Sequence, residues 1–262
     1  MKRKAVIVCL FGGLSLAAVP VHADLQFLSQ ARSVSAQNSE GADDSIAAPD
    51  GAPFAAAAGV SWQYTGPRVP QDTGTRWYSA NALQDSVLSL HEITAQGHAD
   101  DLEPFYHYVN FRQESRSDSH VVFATDVPGE FLLTGELRAG GDYGGTDYGA
   151  YRAEVELSNG AGTVFSASAL AGTTPTYECV VELEKTLTLE AGVYTLDLRA
   201  WAEGWGGPHT SWRGEETMPG YGGSGRADYD IRLAVVPVPA VLPLALCGLG
   251  AVAFLKKRKI LQ

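Results

Sequence analysis

From Phe54 onward the chain breaks into short runs in which apolar and polar side chains alternate, the period-two pattern of a strand with one buried face. Val60-Ser61-Trp62-Gln63-Tyr64 and Tyr106-His107-Tyr108-Val109-Asn110-Phe111 alternate in this way. Clearer strands are predicted at Val121–Ala124, Phe131–Arg138, Tyr151–Leu157, Thr163–Ala169, Tyr177–Leu187, Gly192–Trp201 and Ala227–Val235. The passage from Thr186 to Leu196 is the most strand-like, with Glu190-Ala191-Gly192 as its turn. Trp77–Leu90 fits a helix or a strand equally well. No repeat of fixed period is present. The pattern predicts an all-β protein, an antiparallel β-sandwich of jelly-roll-like form over 60–235, as one domain rather than two split near Ser117. Before it, 24–59 reads as an N-terminal strand followed by a flexible segment, because Ser39–Gly51 is rich in Asp, Ala, Ser and Gly.

The two ends break this pattern. Lys2-Arg3-Lys4, the apolar stretch Ala5–Ala18 and Val21-His22-Ala23 have the three-part order of a secretory signal peptide, 1–23, cut after Ala23. The mature chain would then begin at Asp24, outside the cytoplasm. An uncleaved anchor is the alternative. At the other end no charged side chain occurs from Leu233 to Leu255, and Lys256-Lys257-Arg258-Lys259 follows at once. Val235–Phe254 would reach about 30 Å as a helix, the thickness of a bilayer core. Pro237, Pro239 and Pro243 interrupt it, so the regular transmembrane helix is expected to start near Pro243. The basic cluster serves as a stop-transfer signal on the cytoplasmic side and leaves the body outside.

Val236-Pro237-Val238-Pro239-Ala240, then an apolar helix containing Gly248 and Gly250, then the basic cluster, resembles the sorting tails of the PEP-CTERM family, most of all its Val-Pro-Leu-Pro-Ala variant. Gln30-Ala31-Arg32-Ser33-Val34-Ser35-Ala36 is similar to the first strand of many members. The tail of 236–262 departs from the commonest form in having Val238 where that form has Glu. The resemblance implies export through the Sec translocon, cleavage by signal peptidase, and recognition by an exosortase-like membrane protease of a variant kind. It also implies a precursor anchored in the inner membrane and a final place at the cell surface or in the extracellular matrix. Members of the family are linked to biofilm and exopolysaccharide matrices, which suggests a structural or adhesive role. A plain tail anchor with a Pro-rich stalk is the alternative.

Charge narrows the partners. The 262 residues carry 19 Lys+Arg and 30 Asp+Glu. With both basic ends set aside, the body holds 12 basic and 30 acidic groups, a net of −18. Such a body repels phosphate backbones and excludes nucleic acid as a partner. Of three Cys, Cys9 lies in the signal and Cys247 in the tail, so Cys179 has no partner for an intradomain disulfide. Its alternation with Tyr177, Val181 and Leu183 marks it as a small buried core residue.

Enzyme templates fail. His91-Glu92-Ile93-Thr94-Ala95 has Ala where a zinc-protease helix needs a second His. Gly222-Gly223-Ser224-Gly225-Arg226 has Arg where a nucleophile elbow needs Gly. His98 and His107, with Asp100, Asp101 and Glu103 between them, read as a solvated acidic loop in preference to a metal site. Glu154 with Glu156 and Glu182 with Glu184 lie at same-face spacing on wet strand faces. No catalytic residue and no cofactor are assigned, and a surface hydrolase is the remotest reading. Two Gly-rich stretches carry the better chemistry. One, from Trp201 to Gly225, holds Trp205, Trp212 and Tyr221, whose rings suit the CH-rich faces of sugars and make a lectin-like, polysaccharide-binding module the main alternative. The other repeats Asp-Tyr-Gly at Asp142 and Asp147, a weak Ca²⁺ candidate. Plain turn chemistry is the favoured account of both stretches.

Overall fold

The computed structural model describes residues 23–38, 41–47, 53–69, 72–102, 111–141, 148–171, 178–206, 209–210, 217–218 and 225–237. Among these the alternating segments form fourteen strands. They are β1 (Leu25–Asn38), β2 (Asp43–Ala47), β3 (Phe54–Val69), β4 (Asp72–Leu88), β5 (Glu92–Leu102), β6 (Phe111–Thr125) and β7 (Gly129–Gly141). There follow β8 (Tyr148–Asn159), β9 (Gly162–Ala171), β10 (Cys179–Leu189), β11 (Gly192–Gly206), β12 (His209–Thr210), β13 (Thr217–Met218) and β14 (Gly225–Val235).

Two six-stranded antiparallel sheets result, β2-β1-β6-β11-β8-β9 (sheet A) and β3-β4-β5-β14-β7-β10 (sheet B), with β12 and β13 as a separate pair. They stack in order: β6 lies on β4 and β5, β11 on β5 and β14, β8 on β14 and β7, and β9 on β7 and β10. The chain is therefore an all-β sandwich. From β5 to β14 it crosses between the sheets at each step except the β8–β9 hairpin. That path sets β5-β14-β7-β10 over β6-β11-β8-β9, the strand order of a jelly roll. β1 and β2 widen sheet A beside β6, and β3 and β4 widen sheet B beside β5. The stretch 24–59, expected to precede the sandwich, thus supplies β1, β2 and the start of β3 to its sheets. Ala23–Val236 forms one compact unit.

β4 settles the ambiguous run as a strand. Its inward residues include Ala80 and Ala82, while Leu83 and Val87 face outward and are exposed. Apolar side chains on the wet face produced the false helical spacing. β6 runs unbroken through Ser117, paired with β1 on one side and β11 on the other, so no domain boundary falls there.

The buried apolar residues fall into two groups. The larger includes Phe123, Phe131, Leu137, Leu157, Leu196 and Leu233, with the Phe123 and Tyr194 rings stacked 5.8 Å apart. Fully burying each such Leu or Phe contributes about 1.5–3 kcal/mol. The smaller group, Val34, Ala36, Phe54, Ala58, Val60, Ala80 and Ala82, is made mostly of short side chains. A polar seam near the boundary includes Arg32, Gln84, Ser86, Ser115, Ser117 and Ser119, all buried. Arg32 Nη1 donates to Ser86 Oγ at 2.9 Å and Ser86 O at 3.3 Å, and its guanidinium sits 5.7 Å over the Phe54 ring. Desolvation lowers the Arg32 pKa. Cys179 packs against the larger core with Val181 and Leu183, but it is half-buried at the sheet margin instead of enclosed. Among the described residues no helix is long and apolar enough to cross a membrane, and 238–262 lie outside them.

Candidate functional site

The registers sort the strand ends into two poles. At one pole Leu25 pairs with Thr125, Gly192 pairs with Thr125, and Leu189 pairs with Gly129. The short connections 89–91, 126–128, 160–161 and 190–191 all lie here. Ala23 is buried here beside Gly129. Val236 N donates to Glu130 O at 2.8 Å, one residue past the end of β14. At the opposite pole Gly206 pairs with Phe111, Trp205 with Tyr148, and Gly225 with both Gly141 and Asp101. The strand ends flanking 103–110, 142–147, 172–177 and 207–224 therefore gather at that distal pole.

Of the sequence candidates, Val236 and Pro237 are described, Val236 being tied to the sandwich by its backbone. Val238, Pro239, Ala240, Lys256, Lys257, Arg258 and Lys259 lie outside the described residues. Trp205 has its backbone at the distal end of β11, opposite Arg112 and Tyr148. Its side chain, together with Trp212, Tyr221, Asp142 and Asp147, lies outside the described residues. Among those that are described, no group of three or more His, Cys, Asp or Glu is placed to hold a metal ion.

Sequence reasoning missed a polar cluster at the distal strand ends. The alternation Ala95, Gly97, Ala99 carries Asp101 to the interior, where it is 2 % exposed. Gly225 N–H donates to its Oδ1 at 3.1 Å, and Tyr151 and Gln113 bond the same carboxylate. Burial pushes the Asp101 pKa up to about 7 against these donors. The Tyr151 ring lies directly over Gly225, where any Cβ would collide with it. The same device recurs on the seam, with the Tyr229 ring over Gly97. Tyr229 Oη accepts from Gln84 Nε2 at 2.8 Å and lies 3.3 Å from Ser117 Oγ, and its burial raises the phenol pKa. The signal was a small-residue alternation, which an apolar pattern search passes over.

On the distal outer face of sheet A, Glu114 and Glu203 stand directly opposite each other and are nearly buried. Arg112 ion-pairs with both, Arg116 pairs with Glu114, and Gln37 Nε2 donates to Glu114 at 3.0 Å. Arg116 also lies 5.8 Å over the Trp201 ring. The outcome is an aromatic ring framed by guanidinium and carboxylate groups, able to offer stacking and paired hydrogen bonds to a polar ring.

The outer face of sheet B carries a shallow groove of about 620 Å³, lined among others by His98, Asp228, Arg138, Glu136, Gln96 and Asp230. The described part of the stretch read as an acidic loop, 98–102, belongs to β5, while Glu103 and His107 lie outside the described residues, and His98 points outward between two carboxylates. Its Nε2 lies 2.9 Å from Asp100, and its Nδ1 bonds Asp228. Hydrogen bonds to Asp100 and then Asp228 raise the His98 pKa to about 9, so the ring is an imidazolium donating on both sides. Asn81 Nδ2 donates to Asp100 at 2.8 Å, and Arg226 pairs with Glu178 at 2.9 Å. The described groups of this groove largely answer one another's charge.

No protein-family model matches the chain, and no curated protein matches it. Solved structures offer only slight likenesses. A structure of infectious bursal disease virus, Gx strain, is 10% identical, with 85% of this chain and 67% of that chain covered and a TM-score of 0.19. The enzymatically active domain of bacteriophage CBA120 tailspike protein 4 is 10% identical, covering 70% of this chain and 19% of that one, with a TM-score of 0.19. A carbohydrate-binding module of the β-sandwich superfamily is 10% identical, covering 82% and 98%, with a TM-score of 0.18. Likenesses this slight carry no argument about ligand or activity.

Proposed function

We propose that the chain is an exported, non-enzymatic surface or matrix protein. In this reading it is made with a signal peptide, anchored briefly by a C-terminal helix, and handed to an exosortase-like protease at Val236–Ala240. The observation that supports it is the meeting of Val236 with the sandwich. The motif begins where the last strand ends, so a membrane-proximal protease would meet an extended, Pro-rigid segment beside a folded body. The pole where β1 begins and β14 ends would face the membrane, and the distal pole would face outward. There the acidic body would act structurally or adhesively in a polysaccharide-rich matrix. Intact mass of the protein from its native host tests this. A product ending near Pro239 supports processing, and a full-length tail overturns it.

A glycan-binding role is the second reading. It is favoured by the Trp201 ring framed by Arg116 on the distal face of sheet A. Trp201→Ala, beside Trp205→Ala and Trp212→Ala, in a polysaccharide pull-down tests it, and unchanged retention in all three refutes it.

A further inference from the structure

Among the described residues the sandwich has four edge strands, and three of them are guarded against pairing. β2 is five residues long and carries Asp43 and Asp44. β3 donates its Gly59 N–H to Asp44 Oδ2 at 3.0 Å and holds Pro67 and Arg68 towards its end. β10 exposes Glu182, Glu184 and Lys185. β9, at the edge of sheet A, has none of these devices. Gly162–Ala171 contains no charged residue and no Pro, in a body of net charge −18. It exposes Leu170 at 61% and Val164 at 38%. A long, uncharged, unguarded edge is a template for another strand. The one irregularity against β8 lies at the turn end, and Phe165–Ala171 pair with β8 without interruption.

We propose that β9 is an assembly edge on which a second copy of the chain pairs antiparallel, about a dyad at Ala167. The sequence is self-complementary in that register. Ser166 meets Ser168 of the second copy, Phe165 meets Ala169, and exposed Val164 meets exposed Leu170. Small side chains then oppose large ones on the inner face, and apolar ones meet on the outer face. Within sheet A the nearest charged rows, on β8 of each copy, stand three strand spacings apart, about 14 Å. That exceeds the screening length of about 8 Å at physiological salt, so the charges of sheet A do not oppose the contact. One edge pairing of this length is small beside the roughly 1,200–2,000 Å² of a stable interface, so the dimer is weak, in the micromolar range.

Sedimentation of the exported protein, as recovered from its host, from 1 to 100 μM (about the range such a contact requires) tests the proposal. A reversible monomer–dimer equilibrium is expected. Ser166→Lys with Ser168→Lys sets like charges opposite each other and should weaken dimerisation at least tenfold. Ser166→Lys with Ser168→Glu sets Lys opposite Glu across the dyad and should restore it. Both pairs of substitutions are on exposed positions, and circular dichroism checks that each variant keeps its fold. A protein that stays monomeric throughout overturns the proposal. So does association that ignores the Lys–Lys substitution, which would place the contact elsewhere, including on the tail.

Discussion

Removing one oxygen from Tyr229 tests the polar seam. Tyr229→Phe keeps the ring over Gly97, so it opens no cavity and leaves the close approach of β14 to β5 unchanged. What it removes is the acceptor for Gln84 Nε2, held at 2.8 Å in a site where Gln84 is 3% exposed and Tyr229 is 2% exposed. A buried donor stripped of its partner costs about 1–3 kcal/mol. For a body of this size each kcal/mol moves Tm by about 2–4 °C, so the variant should melt about 2–12 °C lower. Thermal unfolding followed by circular dichroism reads this directly. The companion variant is Gln84→Met, which removes the donor and keeps the volume. In that background Tyr229→Phe should cost markedly less, because no amide remains to be stranded. An equal cost in both backgrounds would refute the coupling, and a shift below 1 °C in the single variant would show that the hydroxyl stabilises nothing.

Stability should fall steadily as pH rises from 5 to 10. Asp101, with its folded pKa near 7, favours the protonated carboxyl, so the folded state loses ground from about pH 4 to 7. His98, raised to about 9, contributes stability that is complete below its unfolded pKa of about 6.5 and lost as pH passes 9. Melting curves at pH 5, 7 and 9.5 check both, and His98→Gln should flatten only the alkaline limb; a Tm that rises with pH contradicts the assignment. Gly97→Ala or Gly225→Ala should each destabilise by about 1–3 kcal/mol, since the added methyl must displace a buried tyrosine ring. A wild-type Tm in either would show that the rings yield freely. Pro237→Ala with Pro239→Ala should leave a longer, membrane-retained precursor on immunoblots of host fractions, and unaltered maturation would refute the sorting reading.

The two-sheet architecture was legible wherever large apolar side chains alternate with polar ones, as in β7, β8, β11 and β14. It was illegible where the inward residues are small. In β5 the buried face is Ala95, Gly97 and Ala99, and in the first half of β6 it is Ser115, Ser117 and Ser119. The stretch holding His98, Asp100 and Asp101 then reads as a solvated acidic loop, and the first half of β6 shows no strand pattern. The reason lies on other strands: the Tyr229 ring, from β14 beside β5, covers Gly97 and reaches across to Ser117, and Arg32, from β1 beside β6, is buried in the same seam. A single strand's pattern holds no record of a bulky partner on another strand. The same limit hid Asp101 and the Glu114–Glu203 pair, whose meaning depends on register between distant segments.

The position of β14 has a mechanical consequence. It is an inner strand, bonded along its length to β5 on one side and β7 on the other, and it is the strand that continues into the tail. Tension on that tail would act along the strand axis, loading both ladders in shear at once instead of unzipping them rung by rung. An attachment made through Val236 would pull on a strand gripped from both sides, so the load would be shared by two ladders before either could open.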